Sequence, residues 1–251
     1  MPSPQLTAPP LTASPLTAPP LTAPPLSAAQ LSAEQHPAPP IPFDTRLAPG
    51  LVPYDIGLEL QRGAVGRIDT GEDRGTVFLV EHEPVYTAGR RARPEEYPRD
   101  GTPVVPVDRG GKVTWHGPGQ LVAYPVIRLR EGVGPVDFVR GLEQVIIDVA
   151  ADFGVTGFRV RGRPGVWADA GGIAPAKFAQ IGIHTRDGIV THGLALNCDN
   201  DLAPFASFVP CGITDAGVQT LSGLAGVRIS PRDAAPQLQH RLAALIDEAA
   251  A

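Results

Sequence analysis

Six Leu-(Thr/Ser)-Ala units recur every five residues from Leu6 to Leu31, in a stretch of residues 1–42 that holds 13 of the chain's 29 prolines. That stretch carries no aromatic side chain, and its first charge is Glu34. A period of five belongs to no common solenoid. Such a segment cannot bury enough apolar surface to offset the entropy of ordering it, so residues 1–42 read as a disordered, partly polyproline II tail. Any fold must be made by residues 43–251, a length that suits one domain.

The tail lacks a basic start, an uninterrupted apolar run and the arginines of a transit peptide, which points to a soluble cytoplasmic protein. Cys198 and Cys211 show no paired spacing and should be thiols in a reducing compartment. A net charge of −5 argues against non-specific nucleic-acid binding. The six histidines and two cysteines show no zinc-ligand spacing, so neither metal nor cofactor is expected.

From about Phe43 onward strands and helices alternate, punctuated by Gly and Pro. Helices are predicted over Asp55–Val65, over the segment carrying Phe138, Leu142, Val145, Ile146, Val149 and Phe153 with Gly154 as its stop, and from about Arg232 to the end. The last would bury Leu238, Leu242 and Leu245. Strands are predicted over Thr76–Val80, Leu121–Leu129, Phe178–Ile183 and Ile189–Leu196, the last two joined by a hairpin at Asp187-Gly188. On the fourth strand His192, Leu194 and Leu196 should share one face, and Gly193, Ala195 and Asn197 the other, where small residues leave room for a ligand. Mixed order with hairpins favours an α+β fold with a mixed sheet packed by helices.

Two places carry chemistry. Arg109-Gly110-Gly111-Lys112-Val113-Thr114-Trp115-His116-Gly117-Pro118-Gly119-Gln120 sets four glycines among polar and aromatic side chains, so its backbone can approach a ligand closely. Pro210-Cys211-Gly212 presents a thiol on a sharp turn. A free thiol is only a few per cent ionised at neutral pH and needs a nearby cation or base to react well. Lys177, one of two lysines in the chain, opens an apolar strand where a surface lysine gains little.

These segments, together with Glu81-His82-Glu83-Pro84-Val85-Tyr86-Thr87-Ala88-Gly89-Arg90, Lys177-Phe178-Ala179-Gln180-Ile181-Gly182, His192-Gly193-Leu194-Ala195-Leu196-Asn197 and Pro210-Cys211-Gly212-Ile213, resemble in order the signatures of the lipoate-biosynthesis octanoyltransferases. The resemblance spans roughly residues 50 to 225. It implies a fold like the catalytic domain of biotin and lipoate protein ligases. It also implies transfer of an octanoyl group from octanoyl-acyl carrier protein, with lipoyl-acyl carrier protein as a further donor, to a lysine of lipoyl domains. The acceptors would be 2-oxoacid dehydrogenases and the glycine cleavage H protein, with neither membrane nor nucleic acid involved.

Carried over by motif, Cys211 is the acyl-accepting nucleophile and Lys177 lowers its pKa. Substrate contacts fall to Arg109, Gly110, Gly111, Lys112, Val113, Thr114, Trp115 and His116, to Gln180, Ile181 and Gly182, and to Gly193, Leu194 and Ala195. Trp115 would cap the acyl tunnel. His82 is a supporting residue; for His82 and His116 two readings stay open, orienting the acyl carbonyl or simply holding structure. Cys198 reads as structural. Arg90, Arg91 and Arg93, and Arg159, Arg161 and Arg163 alternating along one extended segment, are candidate docking patches for acidic partners. The rival readings are an ATP-dependent lipoate or biotin ligase and a non-catalytic acyl-binding relative.

Overall fold

Alternation along three strands sorts the side chains into two layers, and the architecture follows. The computed structural model describes residues 39–98, 102–172, 174–208 and 216–251. In chain order these form β1 (Phe43–Arg46), α1 (Tyr54–Thr70), β2 (Gly75–Val80), β3 (Val85–Ala88), β4 (Val104–Pro106), β5 (Val113–His116) and β6 (Gln120–Ile127). Then follow α2 (Pro135–Asp152), β7 (Phe158–Val160), β8 (Arg163–Ala168), β9 (Ala176–Arg186), β10 (Ile189–Asn197), β11 (Gly217–Val218), α3 (Leu221–Ala225) and α4 (Pro231–Ala249).

The main sheet runs β1-β2-β6-β10-β9-β8-β7, with β11 beside β9, and a smaller sheet runs β4-β3-β5. Parallel pairs (β1 on β2, β11 on β9, β3 on β4) stand among antiparallel ones, so the sheets are mixed, as an α+β reading requires. Val77 and Leu79 of β2, Leu121 and Ala123 of β6, and Leu194 and Leu196 of β10 bury into one core. There they meet Phe138, Leu142 and Ile146 of α2 and Leu238, Leu242 and Ile246 of α4. The intervening Phe78 and Val80, Val122 and Tyr124, and Ala195 bury on the other side, against Ala64 and Ile68 of α1. Strands covered on both faces read as continuous apolar runs, which is why β2 and β6 stand out in the sequence.

Local signals placed most ends. Ser230 caps α4 by accepting from Asp233 N, while Asp233 Oδ2 accepts from Ser230 N at 2.8 Å. Gly154, at φ 75°, follows the end of α2. Asp187 and Gly188 both have positive φ, as the two-residue β9–β10 hairpin demands. Ordered contacts begin a few residues before Phe43, since Ile41 is buried in the main core and Pro42 O accepts from Val77 N. The proline-rich repeat lies outside the described residues.

Two expectations about side-chain direction are corrected. Arg159, Arg161 and Arg163 do not share one extended segment: Arg159 is on β7, Arg161 is in the turn with Gly162, and Arg163 opens β8. On β10, His192 adopts φ 58°, so the strict alternation fails there. Its N–H is accepted by Gln61 Oε1 of α1 at 2.7 Å, and its ring reaches Asp108. A Cβ on Gly193 would sit 2.1 Å from Ala123 O of β6. Its glycine serves the close approach of β6.

Candidate active site

β5 splits the glycine-rich run by its period of two. Thr114 and His116 face a cavity of about 50 Å3, whose wall is completed by Arg109, Gly110, Gly111 and Lys112, by Gln180, Ile181 and Gly182 of β9, and by Gly193, Leu194 and Ala195 of β10. Twelve of the fourteen substrate contacts expected from the motifs therefore converge on one wall. The exceptions are Val113 and Trp115, which point the other way, into a small core with Tyr86, Ala88 and Phe205. Trp115 does not cap a tunnel: its ring packs on Phe205, centroids 5.8 Å apart. Strand alternation forbids neighbours from sharing a face.

Arg109 is buried and knits the run together. Its guanidinium donates to Gly110 O and Lys112 O from Nη1 and to Thr87 O and Thr87 Oγ1 from Nη2, at 2.7–3.0 Å. Lys112 is held by an ion pair with Glu96. Two polar atoms on the cavity wall, Thr114 Oγ1 and Gln180 Oε1, are buried with no hydrogen-bond partner among the described residues. A buried polar atom left unmatched costs stability, so two in one cavity mark a place where a ligand's polar groups belong.

The histidines resolve differently from one another. His82 holds Val52 O with Nδ1 at 2.7 Å and Tyr124 Oη with Nε2 at 2.8 Å. A carbonyl only accepts, so the proton sits on Nδ1 and the Tyr124 hydroxyl donates to Nε2. Burial pushes the His82 pKa down to about 4. Both His82 nitrogens are thus committed, and His82 is not among the residues that line the cavity. His116 does face the cavity; its Nδ1 donates to Gln120 Oε1 at 2.8 Å, and burial drives its pKa down to about 3. Gln120 passes the network on through Nε2 to Asn197 Oδ1 at 2.8 Å, and Asn197 Nδ2 donates to Gln219 O. The His82 and His116 rings lie 6.0 Å apart and share no hydrogen bond.

A wider cleft of about 360 Å3 shares Gly110, Gly111, Lys112, Ile181 and Gly182 with the cavity wall, and Lys177 lines it. Lys177 is 6% exposed, with Nζ 5.4 Å from the centre of the Trp167 ring. β11 pairs with β9 so that Gly217 faces Ala176 and Val218 faces Lys177, and Gln219 N donates to Lys177 O. Pro210, Cys211, Gly212 and Ile213 lie outside the described residues. Cys198 is fully buried, its thiol pKa pushed up by desolvation, which fits the structural reading.

Residues 53–243 match the family described as Lipoyl protein ligase A/B catalytic domain. The octanoyltransferase of Leifsonia xyli subsp. xyli is 52% identical over 188 residues, covering 74% of this chain and 84% of that protein. The octanoyltransferase of Salinispora arenicola is 47% identical over 203 residues, covering 80% and 95%. The chain belongs to the octanoyltransferase family. Membership makes it an acyltransferase. Among solved structures, a bipartite lipoate protein ligase from Thermoplasma acidophilum superposes with a TM-score of 0.62 at 15% identity, covering 82% of this chain and 84% of that one. A lipoate-protein ligase A bound with ATP gives 0.61 at 15% identity, covering 81% and 85%. At such identity the likeness speaks for the fold, and it bears out the lipoate-ligase architecture expected from the motifs.

Sequence reasoning missed several wall residues of this octanoyltransferase family member. Tyr54 at the start of α1, Val122 and Tyr124 on β6, and His192 also line the cavity. Tyr54 stacks on His116, 5.9 Å between centroids. An aromatic at the first residue of an amphipathic helix was the available signal for Tyr54; Tyr124 is indistinguishable by sequence from its core-facing neighbours.

Proposed function

We propose that this protein transfers an octanoyl group from octanoyl-acyl carrier protein to a lysine of lipoyl domains through a thioester on Cys211. Lipoyl-acyl carrier protein is a second donor, the lipoyl domains of 2-oxoacid dehydrogenases and the glycine cleavage H protein are acceptors, and the reaction takes place in the cytoplasm. The observation that carries this reading is the buried Lys177 in a cleft that shares Gly110, Gly111, Lys112, Ile181 and Gly182 with the cavity whose wall holds the unmatched Thr114 Oγ1 and Gln180 Oε1. The pairing of β11 beside Lys177, six residues after Cys211, supports it.

In the first step the Cys211 thiolate attacks the donor's thioester carbonyl. The new C–S bond forms as the carrier's C–S bond breaks, and the carrier leaves as a thiol after taking up a proton. In the second, the acceptor's ε-amine attacks the Cys211 thioester, an amide forms, and the Cys211 thiol is restored. Thioester exchange is nearly isoenergetic and amide formation runs downhill, so the bonds exchanged supply the driving force without ATP. Lys177 as ammonium stabilises the thiolate; as neutral amine it takes the proton of the incoming nucleophile. Burying about six methylenes at ~0.8 kcal/mol each contributes ~5 kcal/mol towards holding the chain, before the entropic costs of binding.

The test is mass spectrometry after incubation with octanoyl-acyl carrier protein and no ATP. An octanoyl adduct on Cys211 that persists in Cys198→Ala and is discharged by a lipoyl domain is the expected result. A strict need for ATP, or no adduct on Cys211, overturns the reading.

A further inference from the structure

Glu143 was not singled out by any motif, yet its carboxylate is among the most enclosed charges in the described chain, with 1% of the side chain exposed. It sits midway along α2 and makes three bonds. Oε2 accepts from Arg140 Nη1 at 2.6 Å and from Arg159 Nε at 3.1 Å. Oε1 accepts from the backbone N–H of Gly165 at 3.1 Å. A buried carboxylate is retained only when its oxygens are matched, and here one of the matches is main chain rather than side chain.

Gly165 is where β8 approaches Lys177. Its φ is 114°, a conformation that side chains rarely adopt, and a Cβ on it would stand 2.5 Å from Lys177 Cε and 2.3 Å from Ala179 O. Two residues on, Trp167 pairs with Lys177 across the strands and lays its ring beneath the ammonium. Lys177 thus lies in a slot with the bare Gly165 backbone on one side and an indole on the other. The Gly165 backbone is fixed from behind by Glu143, and Glu143 is oriented by two arginines.

We propose that Glu143 is a positioning residue for Lys177. Through the Gly165 N–H it holds β8 at the spacing that admits the lysine stem and aims Nζ along the cleft. This rests on the reading that Lys177 takes part in octanoyl transfer. The same contacts tie down Arg159, whose guanidinium donates to Glu143, Arg140 O and Gln144 Oε1.

The chain has two lysines, Lys112 and Lys177, so reductive 13C-methylation of the whole protein yields two resolvable dimethyl-lysine signals, assigned with Lys112→Arg. In Glu143→Leu the Lys177 signal should move towards the position and narrow width of a free dimethyl-lysine. In the unlabelled enzyme kcat should fall about tenfold or more, with KM changed less than about twofold. Glu143→Gln keeps an oxygen for the Gly165 N–H but turns an amide NH2, which cannot accept, towards both arginines, so it should fall between wild type and Glu143→Leu in both readouts. A folded Glu143→Leu with an unmoved Lys177 signal and wild-type kcat would overturn the proposal, as would equal damage from Gln and Leu. Should Glu143→Leu fail to fold, the double variant Arg140→Gln/Arg159→Gln, which frees the carboxylate to swing away, must move the same signal; an unmoved signal there also overturns it. The signal needs no substrate, so it decides the slot even if the wild-type protein transfers no octanoyl group, a result that would overturn the reading of function instead.

Discussion

Asp108 Oδ1 lies 2.7 Å from His192 Nε2, joining the residue before the glycine-rich run to the one left-handed residue of β10. Run and strand both line the cavity, so this pair ties two parts of its wall together. The Asp108 carboxylate is more than half exposed, which limits its worth to about 1 kcal/mol. Asp108→Ala should raise KM for the acyl donor about fivefold, with a smaller change in kcat. Steady-state kinetics check this.

The φ of 58° at His192 costs a side-chain-bearing residue about 1 kcal/mol relative to glycine. His192→Gly and His192→Ala both lose the bond to Asp108, but only alanine keeps the strain. His192→Gly should therefore be the more stable variant by about 1 kcal/mol in urea unfolding, the reverse of their order in ordinary strand positions.

His82 and His116 have pKa values near 4 and 3 in the folded protein, below the value near 6.5 of an unfolded histidine. The folded state stays neutral at both while the unfolded chain takes up protons, so their contribution is complete above about pH 6.5 and is lost as pH falls towards those values. Each histidine costs about 1.4 kcal/mol per pH unit once well below 6.5. Thermal midpoints should fall from pH 7 to pH 5, and His82→Asn, whatever its midpoint at pH 7, should show a shallower slope. An unchanged slope would contradict the assignment of a buried neutral His82.

Thr114 Oγ1 is buried and unmatched in the wall, so Thr114→Val removes a polar atom that the folded protein leaves unsatisfied. Stability should hold or rise by about 1 kcal/mol, while octanoyl transfer slows about tenfold. Denaturation and single-turnover acylation, measured on the same preparation, should show slowed acylation with no loss of stability.

Arg161 is exposed and makes no hydrogen bond or ion pair among the described residues, whereas Arg159 is tied to Glu143. Arg161→Glu should slow transfer from an acidic carrier in a manner that fades at high salt, with stability unchanged. Arg159→Glu should instead lower the unfolding free energy by about 2 kcal/mol or more, because it sets a like charge against a buried carboxylate. Rates measured across a salt series, with melting curves, separate the two.

Most wall residues were legible because glycines, one of only two lysines and a hairpin turn each leave local marks. The apolar runs of β2 and β6 and the amphipathic stripes of α2 and α4 were legible for the same reason: burial on one or two faces writes a period into the chain. Trp115 was misjudged because β5 is too short for its period to show which side faces the cavity. Tyr54 and Tyr124 were missed because each reaches the cavity from a separate element, brought there by packing of α1 on the sheet.

Glu143 shows the division most clearly. The sequence alone determined that an amphipathic helix runs through this position and that Lys177 opens a strand. That the acid holds the glycine and the glycine makes space for the lysine depends on three segments meeting, α2, β8 and β9. Local patterns report the burial of each residue by its neighbours in the chain, but a hydrogen bond between α2 and β8 spans 22 residues and follows no period. Only the packing of the helix on the sheet decided it.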